Sequence, residues 1–367
     1  MAESEINSNF VALNHTKSYP HIINVMDQEL DWANLSFGYI PTDYNVRCRY
    51  HNGRWGEIEV SSSDTINMHM AATSLHYGQE IFEGLKAFRG VDGKVRIFRL
   101  EENAKRIISS ANGIKMAPVP VELFSQMVIK AVELNARFIP PYGSGASLYI
   151  RPLELGMSAQ IGVHPSSEYL FMVMVTPVGP YFKEGFKPTN ICIMREFDRV
   201  APKGTGRWKV GGNYAASLEA GERAHELGYS AVLYLDPREK KYVDECGPAN
   251  FFAIKQGRYI TPASESILPS VTNRSLMQLA RDMGIEVEER HIPLEELAEI
   301  DEAGACGTAA VASPVAEIHD LDTGINYIVA KDHKPGPITT RLYEKLRAVQ
   351  LGEEPDTHGW NTIVEGI

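Results

Sequence analysis

The stretch GRWKVGGNYAAS, residues 206–217, sets Lys209 between a tryptophan and two consecutive glycines. A lysine becomes a nucleophile when its amine is neutral near pH 7, which needs desolvation or a neighbouring cation, and when a carbonyl is held beside it. Trp208, Val210, Gly211 and Gly212 supply burial and close backbone approach, and Arg207 adds positive charge. These residues are compatible with Schiff-base chemistry without demanding it. A solvated lysine in a turn satisfies the same pattern.

Two further stretches carry polar groups in useful places. In GASLYIRPLEL the alternation of a strand puts Tyr149, Arg151 and Leu153 on one side, so a phenol and a guanidinium point the same way. In ILPSVTNRSLMQLARDMG the residues Leu276, Leu279, Ala280 and Met283 share one helical face, Gly284 stops the helix and Ser270 is its N-cap. The first amides, around Val271 and Thr272, then lack intrahelical acceptors and suit a phosphate, although a plain capped helix has the same sequence.

Other chemistries find no support. KGTGRWK fails the spacing of both GxxxxGK[ST] and GxGxxG, and neither HExxH, an EF-hand loop nor GxSxG occurs. His76 stands alone. Cys48, Cys192, Cys246 and Cys306 are scattered without zinc-type spacing, so buried thiols in a reducing compartment are expected and a metal site is not.

These groups have to be positioned by alternating strand-like and helix-like pieces. GEIEVSS, KVRIFRL, EYLFMVMVTPV and SAVLYLD read as strands, with NICIMREFDRV resuming the pattern in the second half. EENAKRIISSANGI reads as a helix ending near Gly113, and a second helix is expected over 213–227. The Gly-, Pro- and charge-rich GPYFKEGFKP marks a linker at 179–188 between an N-terminal α/β domain, 1–178, and a C-terminal domain, 189–367. The fold class is α/β, of the mixed kind, with two domains sharing a cleft.

Composition narrows the partners. A net charge of -11 lacks the basic field that nucleic acid requires. The first twenty residues show no basic region leading into an apolar one, and no apolar run reaches membrane-span length, so a cytoplasmic protein without a membrane partner is expected.

The blocks LHYGQEIFEGLKAFRG, LYIRP, KVGGNY, DECGPANFF, ILPSVTNRSL and CGTAAVASPV, in this order, strongly resemble those of branched-chain amino acid aminotransferases. These are pyridoxal-phosphate enzymes of fold type IV. The resemblance runs from about residue 35 to the terminal HGWNTIV and implies reversible ping-pong transamination of L-leucine, L-isoleucine or L-valine with 2-oxoglutarate. The products are the branched 2-oxo acid and L-glutamate.

Residue by residue, the resemblance implies that Lys209 holds pyridoxal 5'-phosphate as an internal aldimine and moves the proton between substrate and cofactor. Glu245 faces the pyridine nitrogen, and Tyr214 contacts the phenolic oxygen. Arg106 and Arg199 lie at the phosphate, joined by the Val271 and Thr272 amides and the Thr308 hydroxyl. Ala309 offers a backbone donor to the α-carboxylate, while Tyr77, Phe82, Tyr149 and Tyr181 line the pocket. Arg151, with Tyr149, reaches the distal carboxylate of glutamate. Ile161 and Val163 close the pocket of the neighbouring subunit, implying a homodimer or higher homo-oligomer.

Mammalian relatives carry a CxxC pair just after GTA, where this chain has Ala310 and Ser313, so that thiol regulation is not expected. Cys246 and Cys306 are expected to be buried spectators beside the site. Because D-amino acid aminotransferases and aminodeoxychorismate lyases share the lysine and glutamate, they are the nearest rivals. A cofactor-free Schiff-base lyase and a non-catalytic metabolite-binding protein are more distant ones.

Overall fold

The computed structural model describes residues 30–182 and 185–367, together with the backbone of the strand Val11–Ala12. The rest of the N-terminal segment, on which the absence of a targeting signal was read, lies outside the described residues. Two sheets organise the chain, and the site forms where they meet. The first, of ten strands, is antiparallel throughout, with Tyr169–Val178 and Ser147–Gly156 at its centre flanked by Asn45–His51 and Leu85–Arg89. Its apolar face packs under the helices Leu100–Gly113 and Val121–Leu134 around Ile97, Phe124, Ile150 and Phe171. Ser147–Gly156 is buried along most of its length, as a central strand covered on both faces must be.

The second sheet has nine strands, in the order Thr189–Ile193, Val311–Asp320, Glu302–Gly307, Ala249–Lys255, Val243–Cys246 and Leu233–Leu235 along its main path. Thr189–Ile193 and Val311–Asp320 run parallel, as do Arg258–Pro262 and Val287–Arg290, so the sheet is mixed. The helices Val271–Asp282 and Pro337–Leu351 cover it, and their core joins Phe252, Leu276 and Leu346 to Phe88, Phe98 and Trp360 beside the first sheet. The chain passes between the sheets from Val178 to Thr189. Its last strand, Asn361–Val364, returns to pair with Val95–Phe98 in the first sheet.

The single helix expected over 213–227 is two helices, Gly211–Ala215 and Leu218–Glu226. The break falls at Ala216–Ser217, where the Ser217 N–H and hydroxyl both donate to the Tyr214 carbonyl, an example of serine competing with the helix for its own backbone. Among the described residues no helix is long and apolar enough to cross a membrane.

Candidate active site

Lys209 is held by the first sheet and its covering helix Leu100–Gly113 although it lies in the second half of the chain. Its N–H donates to Ser110 Oγ at 2.9 Å, and its carbonyl accepts from the Phe82 N–H at 3.1 Å. Trp208 anchors the segment from the other side. Its ring lies against Gly113 so closely that a Cβ there would stand 2.2 Å from the ring. The tryptophan therefore packs against the core of the first sheet and takes no part in the cavity wall. A Cβ on Gly211 would meet Glu80 Oε1 at 1.5 Å, a contact that the flexible carboxylate end would have to vacate.

The Lys209 ammonium projects into a cavity of about 1130 Å³ between the two sheets. It donates to Tyr214 Oη at 2.7 Å and lies 4.6 Å from the centre of the Phe82 ring. Burial, with Arg106 adding repulsion, pushes its pKa down to about 8. Arg207, to which the sequence assigned that cationic influence, is exposed. Tyr214 is pushed up to about 12 by burial and then by Glu245, so it stays a phenol beside the amine.

Glu245, on Val243–Cys246, is 3% exposed and stands at the cavity margin, where Tyr214 and Leu268 line both the cavity and the small space around the carboxylate. Oε1 accepts from Asn250 Nδ2 at 3.2 Å and the Leu268 N–H at 3.3 Å. Oε2 lies 2.5 Å from Arg199 Nε but lacks a hydrogen bond of proper geometry. Burial pushes this carboxyl up to about 7 against the pull of Arg199. Arg199 was expected at a phosphate. Its guanidinium instead serves Glu245 and the carbonyls of Gly206 and Ser266, because a buried carboxylate needs a cation beside it.

The start of Val271–Asp282 lies on the cavity wall, capped by Ser270 Oγ, which accepts from the Asn273 N–H at 3.1 Å. The Val271 and Thr272 amides have no acceptor within the helix at that position. Thr308 lines the same wall, with its hydroxyl donating to the Gly84 carbonyl at 3.1 Å. Arg106 reaches the cavity from Leu100–Gly113 and is oriented by Glu83, which accepts from its Nε and one terminal nitrogen at 2.7 Å each. The other terminal nitrogen donates to the Pro269 carbonyl at 3.2 Å, next to the helix start.

Arg151, which also lines the cavity, donates to Tyr149 Oη at 3.0 Å and lies 4.8 Å from the centre of the Phe82 ring, while its Nε has no partner. Tyr181 and Ala309 also line the cavity. Tyr77 does not. It is exposed and donates to the Ile161 carbonyl on the outer surface, where Ile161 and Val163 are 70% and 84% exposed. Cys246 and Cys306 are buried, as are Cys48 and Cys192.

Sequence reasoning missed Glu83, which the Arg106 pair requires, and Phe37, whose ring meets Tyr149 edge-on at 5.0 Å. Neither carries a local signal beyond its place in or near a quoted block. A second concavity of about 770 Å³, beside Lys203 and His291, contains neither Lys209 nor Tyr214.

Residues 80–318 match the family model described as amino-transferase class IV. The branched-chain-amino-acid aminotransferase of Haemophilus influenzae is 44% identical over 345 residues, 92% of this chain and 100% of the relative. That of Helicobacter pylori is 46% identical over 91% of this chain and 97% of its own length. Among solved structures, the branched-chain amino acid aminotransferase of Thermobaculum terrenum in its PLP-form superposes with a TM-score of 0.70 at 27% identity, covering 89% of this chain and 99% of that one.

Proposed function

The chain belongs to the class IV amino-transferases and is a transaminase, and from that premise we propose that it exchanges the amino group of L-leucine, L-isoleucine or L-valine with 2-oxoglutarate, using pyridoxal 5'-phosphate. The relatives' names support the substrate class. The observation that carries the reading is the Lys209–Tyr214 contact inside a cavity that has Glu245 at its margin and Arg106 beside a helix start on its wall.

The residues fit a phosphorylated pyridine. Glu245 Oε2 is ion-paired with Arg199 but lacks a hydrogen bond of proper geometry, which suits it to a ring N–H, and the Val271 and Thr272 amides with Thr308 and Arg106 form a cradle for the anion. When bound, the cofactor supplies an electron-poor ring that stabilises negative charge at the substrate Cα. Lys209, with its pKa near 8, is partly neutral at physiological pH and takes or returns the Cα proton. Glu245 holds the proton at the ring nitrogen, and Arg199 favours the charged form of that carboxylate against its burial. Tyr214 orients the lysine amine.

Phe82, Tyr149 and Tyr181 exclude water from an apolar side chain. Arg151, with its unpartnered Nε, receives the distal carboxylate when glutamate occupies the same pocket. The exposed Tyr77, Ile161 and Val163 form the surface that meets a second copy of the chain in a homodimer.

The test is the visible spectrum of the purified protein before and after L-leucine, with D-alanine as a parallel donor. A yellow protein bleached by L-leucine, whose cofactor borohydride fixes onto Lys209 as a stable secondary amine with loss of the yellow colour, is the expected result. Response to D-alanine alone would assign the chain to the D-amino acid branch. A colourless protein that takes up no pyridoxal phosphate would overturn the cofactor assignment.

A further inference from the structure

Lys86, on the strand Leu85–Arg89, is a buried ammonium, 9% exposed, outside the machinery described above. Its Nζ donates to the Ala309 carbonyl at 2.7 Å, while two residues earlier the Gly84 carbonyl accepts from the Thr308 hydroxyl. Alternate positions of one chain segment thus grip two successive residues of a turn that joins strands of the second sheet. Among the described residues no carboxylate pairs with Lys86, and Arg347 repels it. Burying an ammonium costs several kcal/mol of solvation, so a single carbonyl contact poorly offsets its presence.

The turn that it grips is strained. Val311 closes it at φ +69°, a left-handed conformation that costs a β-branched residue on the order of 1–3 kcal/mol. Thr308, Ala309 and Ala310 line the substrate cavity, whereas Lys86 does not. Lys86 sits behind the turn, beside Thr272 and Gln350, in a separate space of about 20 Å³, room for one water. Because the C=O and N–H of a trans peptide point in opposite directions, an Ala309 carbonyl drawn towards Lys86 turns the N–H of the same peptide the other way.

We propose that Lys86 is a positioning residue that holds the Thr308–Val311 turn in its strained form, with its amides presented to the α-carboxylate of either amino acid. This rests on the function proposed above only in taking that carboxylate to bind at the turn. Both half-reactions share the α-carboxylate, so both depend on Lys86 equally.

The test compares Lys86→Met, Lys86→Arg, Val311→Gly, and Lys86→Met combined with Val311→Gly, in cofactor-loaded enzyme. Lys86→Met is expected to raise KM for L-leucine and L-glutamate by a common factor of about tenfold, with a smaller fall in kcat. It should weaken binding of unreactive 4-methylpentanoate by the same factor in calorimetry. Lys86→Arg restores most of the loss. Val311→Gly recovers about threefold in the methionine background, because glycine adopts positive φ without the steric cost.

Unchanged KM values and carboxylate affinity in Lys86→Met, a loss confined to L-glutamate, or strict additivity with Val311→Gly would each overturn the proposal. If Lys86→Met is not recovered folded, Lys86→Gln, neutral and shorter in reach, takes its place with the same expected and overturning results. A wild type that turns over D-alanine in place of L-leucine sinks the substrate reading alone. Calorimetry with 4-methylpentanoate then reads Lys86, because a D-amino acid that keeps its Cα–H towards Lys209 exchanges the places of its carboxylate and side chain.

Discussion

Arg199 Nε stands 2.5 Å from Glu245 Oε2, with both side chains almost wholly withdrawn from water. The pair explains how a carboxyl that burial pushes up to about 7 can still act as an anion at the cavity margin. The arginine offsets part of the desolvation, and a protonated ring nitrogen would offset the rest.

Glu245→Gln keeps the shape of the site and removes its charge. The variant is expected to retain cofactor absorbance while kcat falls by about 10²- to 10³-fold, a loss typical of one mispositioned proton. Stopped-flow absorbance after L-leucine addition measures it, and wild-type turnover would take Glu245 out of the mechanism.

Arg151→Ala separates the two half-reactions. Loss of a charge-assisted contact to the distal carboxylate should raise KM for L-glutamate by about 10- to 100-fold and that for L-leucine by much less. Equal losses in single-turnover measurements of the two amino acids would make Arg151 a purely structural residue.

The cofactor-free protein should show a pH signature. Glu245 is held at about 7 in the folded chain, above its ordinary 4.5, so between those values the folded state binds the extra proton. Its contribution to stability is therefore full below about 4.5 and is lost as pH rises through 7. Lys209, lowered to about 8, works in the opposite sense, with stability rising from about 8 towards 10.5. Thermal unfolding of wild type against Glu245→Gln should show the wild type losing ground between pH 5 and 7.5. A constant difference across that range contradicts the assignment.

Gly113→Ala tests how the lysine is anchored. The new methyl would sit 2.2 Å from the Trp208 ring, so either the ring or the end of Leu100–Gly113 must shift. Overpacking of this kind costs about 1–3 kcal/mol, and the displaced Lys209 segment should bind pyridoxal phosphate less tightly. Calorimetric melting and a cofactor titration report the two effects separately.

What was legible in the sequence was local. The alternation of GASLYIRPLEL placed Tyr149 and Arg151 on one side of a strand, and their side chains meet at 3.0 Å. Ser270 announced the helix start, and its hydroxyl caps it. Such features depend on residues a few positions apart, whose relative directions follow from strand and helix periods. The family blocks carried the lysine and the glutamate without revealing what surrounds them.

Partnerships across the chain were decided only by the tertiary structure. Where the Trp208 ring packs was open until Gly113 came beside it, and Arg199 could serve a phosphate or a carboxylate until Glu245 was buried nearby. Lys86 reaches Ala309 across 223 positions, and Asn361–Val364 crosses back to a strand near residue 95. Burial, ion pairing and backbone strain depend on which segments meet when the two sheets pack, and sequence spacing carries no record of that meeting.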